Sequence, residues 1–255
     1  MKHWRKIDQM SSQKVIELQS FIETKKELRR FMMTYKCAMD EILTKINVLK
    51  QEFQYVHDYN PIEHVSSRLK SPESIIEKMY RKKEKYVSFN NLKENIKDIA
   101  GVRIVCSFIS DIYRISDMIQ KQKDVEVISC KDYIKNPKPN GYRSLHLILK
   151  IPVFMSDRVE KVYVELQIRT IAMDFWASLE HKIYYKYHNE IPANMLEELK
   201  EAALTATELD RKMENIHKQV SKIKESDTKE QLKVDNQMLN VPTELINMLA
   251  ETFIK

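Results

Sequence analysis

Two acidic residues stand beside segments that are typical of β-strands. Asp98 precedes the apolar run 102–108, and Glu165 lies inside the run 159–169. If the two strands are neighbours, the pair supplies the carboxylate oxygens with which proteins hold a Mg²⁺ ion that bridges phosphates. Simpler interpretations are a turn or helix end for Asp98 and a solvent-facing strand edge for Glu165.

The run around Glu165 predicts a strand with one polar face, because alternate strand positions share a face. One face carries Tyr163, Glu165, Gln167 and Arg169, and the other carries Val162, Val164, Leu166 and Ile168. A carboxylate, an amide and a guanidinium in one row suit a polar ligand. The exposed edge of an antiparallel sheet would produce the same alternation.

Only two glycines occur in the chain, Gly101 and Gly141. Asn140-Gly141 is a turn dipeptide preceded by two prolines and followed by Tyr142, Arg143 and His146. A stiff loop with an aromatic ring, cations and an imidazole suits a nucleotide, and a plain hairpin turn is the alternative. Gly101 lies between Asp98 and Arg103, which favours a crowded site over an ordinary turn.

A third cluster predicts a cationic helix face. Ser71-Pro72 is a helix start, with a capping serine and a proline at the first helical position, and the helix is expected to reach about Lys85. One face carries Ser74, Lys78, Arg81 and Lys82 at helical spacings. Beside a helix N-terminus this face suits a triphosphate, whereas a solvated basic surface is the alternative.

The order of the predicted elements indicates a mixed α/β domain with helical extensions at both ends. The first ~58 residues have helical apolar spacing. Strands are predicted at 102–108, 125–132, 144–151 and 159–169, and further helices at 112–121, 172–187, 195–224 and an amphipathic piece at 242–254. We divide the chain into an N-terminal helical extension (1–60), a core (61–190) and a C-terminal helical extension with a tail (191–255).

Composition narrows the class of protein. A hydrophobic content of 43% and a mean hydropathy of −0.50 predict a soluble globular protein, which carries a net charge of +6. No membrane span is expected, because no apolar run approaches the ~20 residues that cross a bilayer. The N-terminal residues predict no secretory signal, because they lack its apolar stretch. Three cysteines without metal-ligand spacing indicate reduced thiols, and together these features predict a cytoplasmic protein. The modest basic charge suits polyanionic ligands but not a dedicated binder of duplex DNA.

Taken together and in this order, four motifs resemble those of the small alarmone synthetases. These are single-domain RelA/SpoT-type enzymes of the nucleotidyltransferase superfamily, with a mixed β-sheet flanked by helices. The matching residues are Arg68-x-Lys70-x3-Ser74-x3-Lys78, Asp98-Ile-Ala-Gly-Val-Arg103, Asp132-Tyr-Ile-x2-Pro-Lys138-x-Asn140-Gly-Tyr142-x-Ser-Leu-His146 and Glu165-Leu-Gln-Ile-Arg169-Thr-x-Ala-Met.

The resemblance implies a GTP pyrophosphokinase of stringent-response signalling. Such an enzyme transfers the β,γ-diphosphate of ATP to the ribose 3′-hydroxyl of GDP or GTP, and releases AMP and ppGpp or pppGpp. No hydrolase domain is expected. A non-catalytic nucleotide- or single-stranded-RNA-binding module on the same fold is the main alternative, and a terminal nucleotidyltransferase that releases pyrophosphate is a second.

The resemblance also implies roles for individual residues. Asp98 and Glu165 would bind Mg²⁺, and Glu165 would also take the proton of the 3′-hydroxyl. The ATP-binding residues would be Arg68, Lys70, Ser74, Lys78, Arg81 and Arg103. The GDP- or GTP-binding residues would be Lys138, Asn140, Tyr142, His146, Gln167, Arg169 and Asp174. Lys82 has less support from the motif and is not assigned.

Within these sets the resemblance gives finer roles. Arg68 and Arg103 would sandwich adenine, Tyr142 would stack on guanine, and Asp174 would read the guanine edge. Some relatives carry asparagine at the position of Asp174. Small relatives form homotetramers and respond to single-stranded RNA or (p)ppGpp. The resemblance therefore implies a homotetramer here, with single-stranded RNA or (p)ppGpp as a regulator.

Overall fold

The computed structural model of the chain describes residues 2–57, 59–82, 88–186 and 192–227. The elements in these ranges are, in chain order, α1 (Lys2–Val56), β1 (Ile62–Leu69), α2 (Pro72–Arg81), α3 (Phe89–Asn95), β2 (Ala100–Cys106), α4 (Ile109–Gln120), β3 (Glu126–Asp132), β4 (Leu145–Phe154), β5 (Val159–Thr170), α5 (Ile171–Lys186) and α6 (Ala193–Asp227).

The five strands form one mixed sheet in the order β1-β2-β5-β4-β3. The pair β2-β5 is parallel, and the other neighbouring pairs are antiparallel. The strand of Glu165 is therefore central, which excludes the alternative of an exposed sheet edge. The predicted mixed α/β architecture is confirmed, and the strand after Asp98 is the direct neighbour of the strand of Glu165.

One face of the sheet is covered by helices and forms the core. Helix α1 contributes Tyr35, Ile42, Ile46 and Phe53, and helix α4 contributes Ile112, Ile115 and Ile119, all of them buried. These side chains belong to one apolar cluster with Val164, Leu166 and Ile168 of β5. Each buried side chain of this size contributes roughly 1.5–3 kcal/mol. The core thus occupies one face, and the face of Glu165 is left for polar side chains.

Several elements differ from the sequence-based prediction. Strand β1 and the short helix α3 were not predicted, because Ser66, Ser67 and Arg68 interrupt any apolar alternation in β1 and α3 has only seven residues. Helix α2 begins as expected, with the Ser71 hydroxyl accepting a hydrogen bond from the Ser74 amide at 3.3 Å, but it ends at Arg81. The predicted amphipathic piece at 242–254 lies outside the described residues, and the division into three regions stays a prediction.

In the described ranges, no helix combines the length and the apolar character needed to cross a bilayer. The three cysteines are free thiols; Cys106 is buried and Cys130 is exposed.

Helix α6 packs on the core through a buried carboxylate. The Thr170 hydroxyl donates a hydrogen bond of 2.6 Å to Asp210 and accepts one of 3.1 Å from the Met173 amide, so that Thr170 joins α6 to the start of α5. Burial raises the pKa of Asp210 from 3.8 to about 6; the Thr170 hydrogen bond opposes the shift and the Glu214 charge adds to it.

We expect Asp210→Asn to stabilise the protein at pH 8 more than at pH 5. The raised pKa means that the folded chain holds a proton that the unfolded chain releases, so the contribution of Asp210 is full below its unfolded pKa and is lost as the pH rises through about 6. Asparagine keeps an acceptor for Thr170 without the charge. Thermal unfolding should show a Tm gain of a few degrees at pH 8. Equal losses at both pH values would contradict this assignment, and Glu208→Gln on the same helix is the control.

Candidate active site

The register of the sheet brings distant motifs into two rows on its open face. One row crosses the sheet through Arg68, Gly101, Glu165, Ile148 and Ser129. The next row crosses through Ser66, Arg103, Gln167, His146 and Lys131. Residues that pair across neighbouring strands share a face. Residues from four separate chain segments that the motifs named therefore meet on one surface.

Two cavities meet at the carboxylate pair. A cavity of about 410 Å³ lies over β1 and β2 and is lined by Arg68, Lys70, Gly101, Arg103 and Gln167, among others. A second cavity of about 510 Å³ lies on the other side and is lined by Lys78, Lys82, Lys131, Tyr133, Lys138 and His146, among others. Asp98 and Glu165 line both cavities. Two anionic ligands bound in these cavities would therefore approach each other at the two carboxylates.

Asp98 is held between two lysines and keeps one oxygen free of hydrogen bonds. Lys70 Nζ and Lys78 Nζ donate to its Oδ2 atom at 3.2 and 2.5 Å. Its Oδ1 atom is buried and has no hydrogen-bond partner. Burial raises the pKa of Asp98, but the hydrogen bond from Lys78 and the charges of both lysines outweigh burial, so the pKa is lowered. The carboxylate is thus ionised at neutral pH, with an oxygen available to a cation.

Glu165 is anchored by two hydrogen-bond donors. His146 Nδ1 lies 3.3 Å from its Oε1 atom, and Gln167 Nε2 donates to its Oε2 atom at 3.0 Å. Burial raises the pKa of Glu165, yet the hydrogen bond and charge of His146 outweigh burial and the repulsion from Asp98, and the pKa is lowered. Two ionised carboxylates close to each other attract a divalent cation.

A chain of hydrogen bonds connects Glu165 to the loop that contains Gly141. Arg169 Nη2 donates to the Tyr142 hydroxyl at 2.5 Å and to Gln167 Oε1 at 2.9 Å. The Tyr142 hydroxyl lies 2.7 Å from His146 Nε2. His146 thus contacts Tyr142 through Nε2 and Glu165 through Nδ1. The position of Tyr142 is therefore coupled to that of Glu165.

Lys138 and Tyr133 line the second cavity, and the ring of Tyr142 lies beside Lys138. Lys138 Nζ lies 4.9 Å from the ring centre of Tyr133 and 4.7 Å from that of Tyr142. Tyr133 also packs edge-on against His146, with ring centres 5.2 Å apart. Asn140 shapes the loop: its Oδ1 atom accepts from the Tyr142 amide at 3.2 Å, and its Nδ2 atom donates to Glu180 at 3.1 Å.

Asp174 bridges the two sides of the site. Its Oδ1 atom accepts from Arg169 Nη1 at 3.0 Å and pairs with Arg103 Nη1 at 3.1 Å. Arg103 Nε is buried without a hydrogen-bond partner. The guanine-reading role that the resemblance implies for Asp174 stays a prediction, because in this structure Asp174 holds two arginines.

Six of the predicted residues line neither cavity, among them Asn140, Tyr142, Arg169 and Asp174, and four cationic or aromatic residues of the lining were missed. Ser74 and Arg81 lie on α2 and do not line either cavity. The second cavity is also lined by Lys82, Lys97, Lys131 and Tyr133, which were not assigned. Tyr133 belongs to the motif Asp132-Tyr-Ile and Lys82 to the cationic helix face, so both carried a signal. Lys131 carried none, since only the register of β3 against β4 brings it beside His146.

The donor set fits a metal ion only if a ligand completes it. In the part of the chain that the structure describes, no group of three or more His, Cys, Asp or Glu side chains is arranged to hold a metal. Mg²⁺ is commonly bound by one or two carboxylates together with waters and substrate phosphates. Asp98 and Glu165 meet that requirement when a phosphate ligand is present.

Comparison with known proteins shows which family the chain resembles. Residues 67–190 match the RelA_SpoT family, described as a region found in RelA / SpoT proteins. GTP pyrophosphokinase YwaC of Bacillus subtilis is 54% identical over 189 residues, which are 74% of this chain and 90% of that protein. GTP pyrophosphokinase YjbM of the same organism is 38% identical over 195 residues, which are 76% of this chain and 90% of that protein.

Solved structures agree with the sequence matches. Small alarmone synthetase 2 from Bacillus subtilis is similar with a TM-score of 0.67 at 53% identity, over 74% of this chain and 96% of that one. Small alarmone synthetase 1 from the same organism, bound to its product pppGpp, is similar with a TM-score of 0.70 at 37% identity, over 76% of this chain and 98% of that one.

Proposed function

The chain belongs to the RelA/SpoT family, and from this membership we propose that it is a GTP pyrophosphokinase that makes ppGpp and pppGpp. It transfers the β,γ-diphosphate of ATP to the ribose 3′-hydroxyl of GDP or GTP and releases AMP. One observation carries the proposal: an ionised carboxylate pair, Asp98 and Glu165, lines both of two adjoining cation-lined cavities. A binding module would have no need of that pair.

ATP is assigned to the cavity over β1 and β2. Arg68 pairs with Gly101 in the sheet, and Arg103 lies two residues further along β2. The gap above Gly101 suits an adenine ring between the two guanidinium groups, since arginine stacks on aromatic faces. Lys70, Lys78, Ser74 and Arg81 would then neutralise the triphosphate as it extends toward Asp98 and α2.

GDP or GTP is assigned to the second cavity. The rings of Tyr142 and Tyr133 offer a surface for guanine, and Lys138 and His146 would contact the acceptor phosphates. Gln167, Arg169 and Asn140 would hold Tyr142 and its loop in place through the hydrogen bonds described above. The acceptor ribose would then face Glu165, which lines both cavities.

We infer that Asp98 Oδ1 and Glu165 hold the Mg²⁺ ion. Bound there, the ion would offset the charge of the transferred diphosphate. Glu165 is also in position to accept the proton of the 3′-hydroxyl. Its lowered pKa makes it a weak base. Alignment of the two nucleotides by the lysines and arginines therefore supplies much of the rate, as is usual for phosphoryl transfer.

Gly101→Leu is expected to raise the KM for ATP by about tenfold or more and to leave the KM for GTP unchanged. A Cβ atom at Gly101 would meet only the Arg68 carbonyl oxygen, at the ordinary contact distance of 3.7 Å. The backbone therefore tolerates a side chain, which would fill the adenine position. Steady-state kinetics with Gly101→Ala as control checks this. An unchanged KM for ATP in the leucine variant would place adenine elsewhere.

The activity is tested by incubating the protein with Mg²⁺, ATP labelled at the γ-phosphate, and GDP or GTP. We expect a labelled guanosine nucleotide more anionic than its acceptor, with one AMP per product, on anion exchange. If both nucleotides bind but stay intact, the chain is a non-catalytic binding module.

Assembly into a homotetramer, and regulation by single-stranded RNA or by (p)ppGpp, stay predictions. Apolar side chains that are exposed on α6 support assembly, because they recur at spacings of four and three as in helix-helix interfaces. They are Leu209, Met213, Ile216 and Val220.

A further inference from the structure

Helix α6, beyond the residues that match the family, lies directly against the loop of Gly141. A Cβ atom on Gly141 would lie 2.5 Å from the Ala203 Cβ atom and 3.8 Å from the backbone of Lys200. Gly141 also has a φ of +89°, a conformation that favours glycine. The space between the loop, α5 and α6 is only about 10 Å³, at most about one water molecule. Contact between the loop and α6 is therefore close, with a small residue on each side.

The contact is fixed by side chains of α5 and β5. Trp176 Nε1 donates to the Leu199 carbonyl oxygen at 2.9 Å, about one turn before Ala203, and Thr170 donates to Asp210, about two turns after it. Trp176, Ala177 and Ala203 form a small buried cluster, and Tyr142 packs against it. The depth at which Tyr142 sits therefore depends on the side chain at position 203.

Tyr142 transmits this contact to the carboxylate pair. Its hydroxyl bonds to His146, and His146 contacts Glu165. We propose that Ala203 is a positioning residue for the acceptor nucleotide. Its small side chain lets the Gly141 loop pack closely on α6. This contact places Tyr142 where its ring can stack on guanine and its hydroxyl can bond to His146, which contacts Glu165. The proposal rests on the proposed function, since it concerns the acceptor side of the same site.

The test compares Ala203→Leu with Ala202→Leu. Ala202 is the preceding residue on α6 and is exposed, whereas Ala203 is buried. We expect Ala203→Leu to push the loop outward and raise the KM for GDP and GTP by about tenfold or more, because a misplaced binding group costs affinity for its own ligand. The KM for ATP should stay at the wild-type value, and Ala202→Leu should change neither constant.

A second variant covers the case in which leucine at position 203 prevents folding. Trp176→Phe keeps the aromatic ring and removes the hydrogen bond to Leu199, so it loosens α6 without adding volume. We expect a raised KM for GDP with an unchanged KM for ATP, at a Tm that still allows assay at room temperature. Equal changes in both KM values, or none in either variant that folds, would overturn the proposal.

Binding measurements separate this proposal from the activity itself. The dissociation constant of a fluorescent GDP analogue is measured in the absence of ATP for the wild type, Ala203→Leu and Ala202→Leu. Weaker GDP binding by Ala203→Leu alone supports the positioning role, whether or not product is formed. Absence of product in the wild type would reject only the proposed function. Product formation with equal GDP affinity in all three proteins would reject the positioning role and keep the function.

Discussion

Glu165→Gln is expected to lower kcat by about 10³-fold while ATP and GDP still bind. The substitution removes the charge that balances a divalent cation and the oxygen that would take the 3′-hydroxyl proton. It preserves the size of the side chain and one of the two acceptors now used by His146 and Gln167. Loss of turnover without loss of binding would mark Glu165 as part of the chemistry and not of the binding surface.

Glu160→Gln is the matched control for this variant. Glu160 lies on the same strand but pairs with Lys93 and Arg158, away from both cavities. It should keep wild-type kcat, and its thermal unfolding gives the stability cost of a glutamate-to-glutamine change on β5. If Glu165→Gln turns over at the wild-type rate, the assignment of metal ligand and base to Glu165 is wrong.

Asp98→Asn is expected to lower kcat by about 10²-fold or more in the presence of Mg²⁺. The same variant should bind ATP more tightly than the wild type when Mg²⁺ is absent. Lys70 and Lys78 both bond to Asp98 in the structure, and without the carboxylate charge they are available to the triphosphate. The two effects have opposite signs because Asp98 assists through a cation and repels the free nucleotide.

Calorimetric titration of ATP with and without Mg²⁺ checks this reversal, with Asp157→Asn as control. Asp157 pairs with Arg158 at the surface, and its loss should leave both measurements unchanged. If Asp98→Asn weakens ATP binding equally in the two conditions, Asp98 serves to organise the lysines, and the metal must be held elsewhere.

The fold was largely predictable because its central elements have clear periodicity. Strand β5 alternates apolar and polar residues, and the helices that cover the sheet carry regular apolar spacing. Strand β1 was missed because an edge strand that faces a polar cavity on one side needs little apolar alternation: only Ile62 of its eight residues is buried. Its place was decided by pairing with β2, a long-range contact that local sequence does not encode.

The site was predictable as a set of residues but not as an arrangement. Motif order brought Asp98, Glu165, Tyr142 and His146 into one hypothesis. The hydrogen-bond path from Arg169 through Tyr142 and His146 to Glu165 depends on strand register, which single-sequence patterns do not fix. The seating of Gly141 on Ala203 was equally hidden, since the amphipathic pattern of α6 does not say which loop it will contact. Gly141 was expected in a turn or close to a ligand. The turn is confirmed, and the group that lies close to Gly141 is Ala203 of helix α6.

Transfer of a diphosphate as one unit distinguishes a pyrophosphokinase from other enzymes that act on ATP, and positional labelling of ATP detects it. ATP labelled at the β-phosphate is incubated with the protein, Mg²⁺ and GDP, and the labelled products are separated. Transfer of the intact diphosphate predicts that the β-label appears in the guanosine product and that the adenosine product is unlabelled AMP. Label retained in ADP would indicate transfer of a single phosphoryl group, and label released as pyrophosphate would indicate nucleotidyl transfer. Either result would show that the protein is not a pyrophosphokinase.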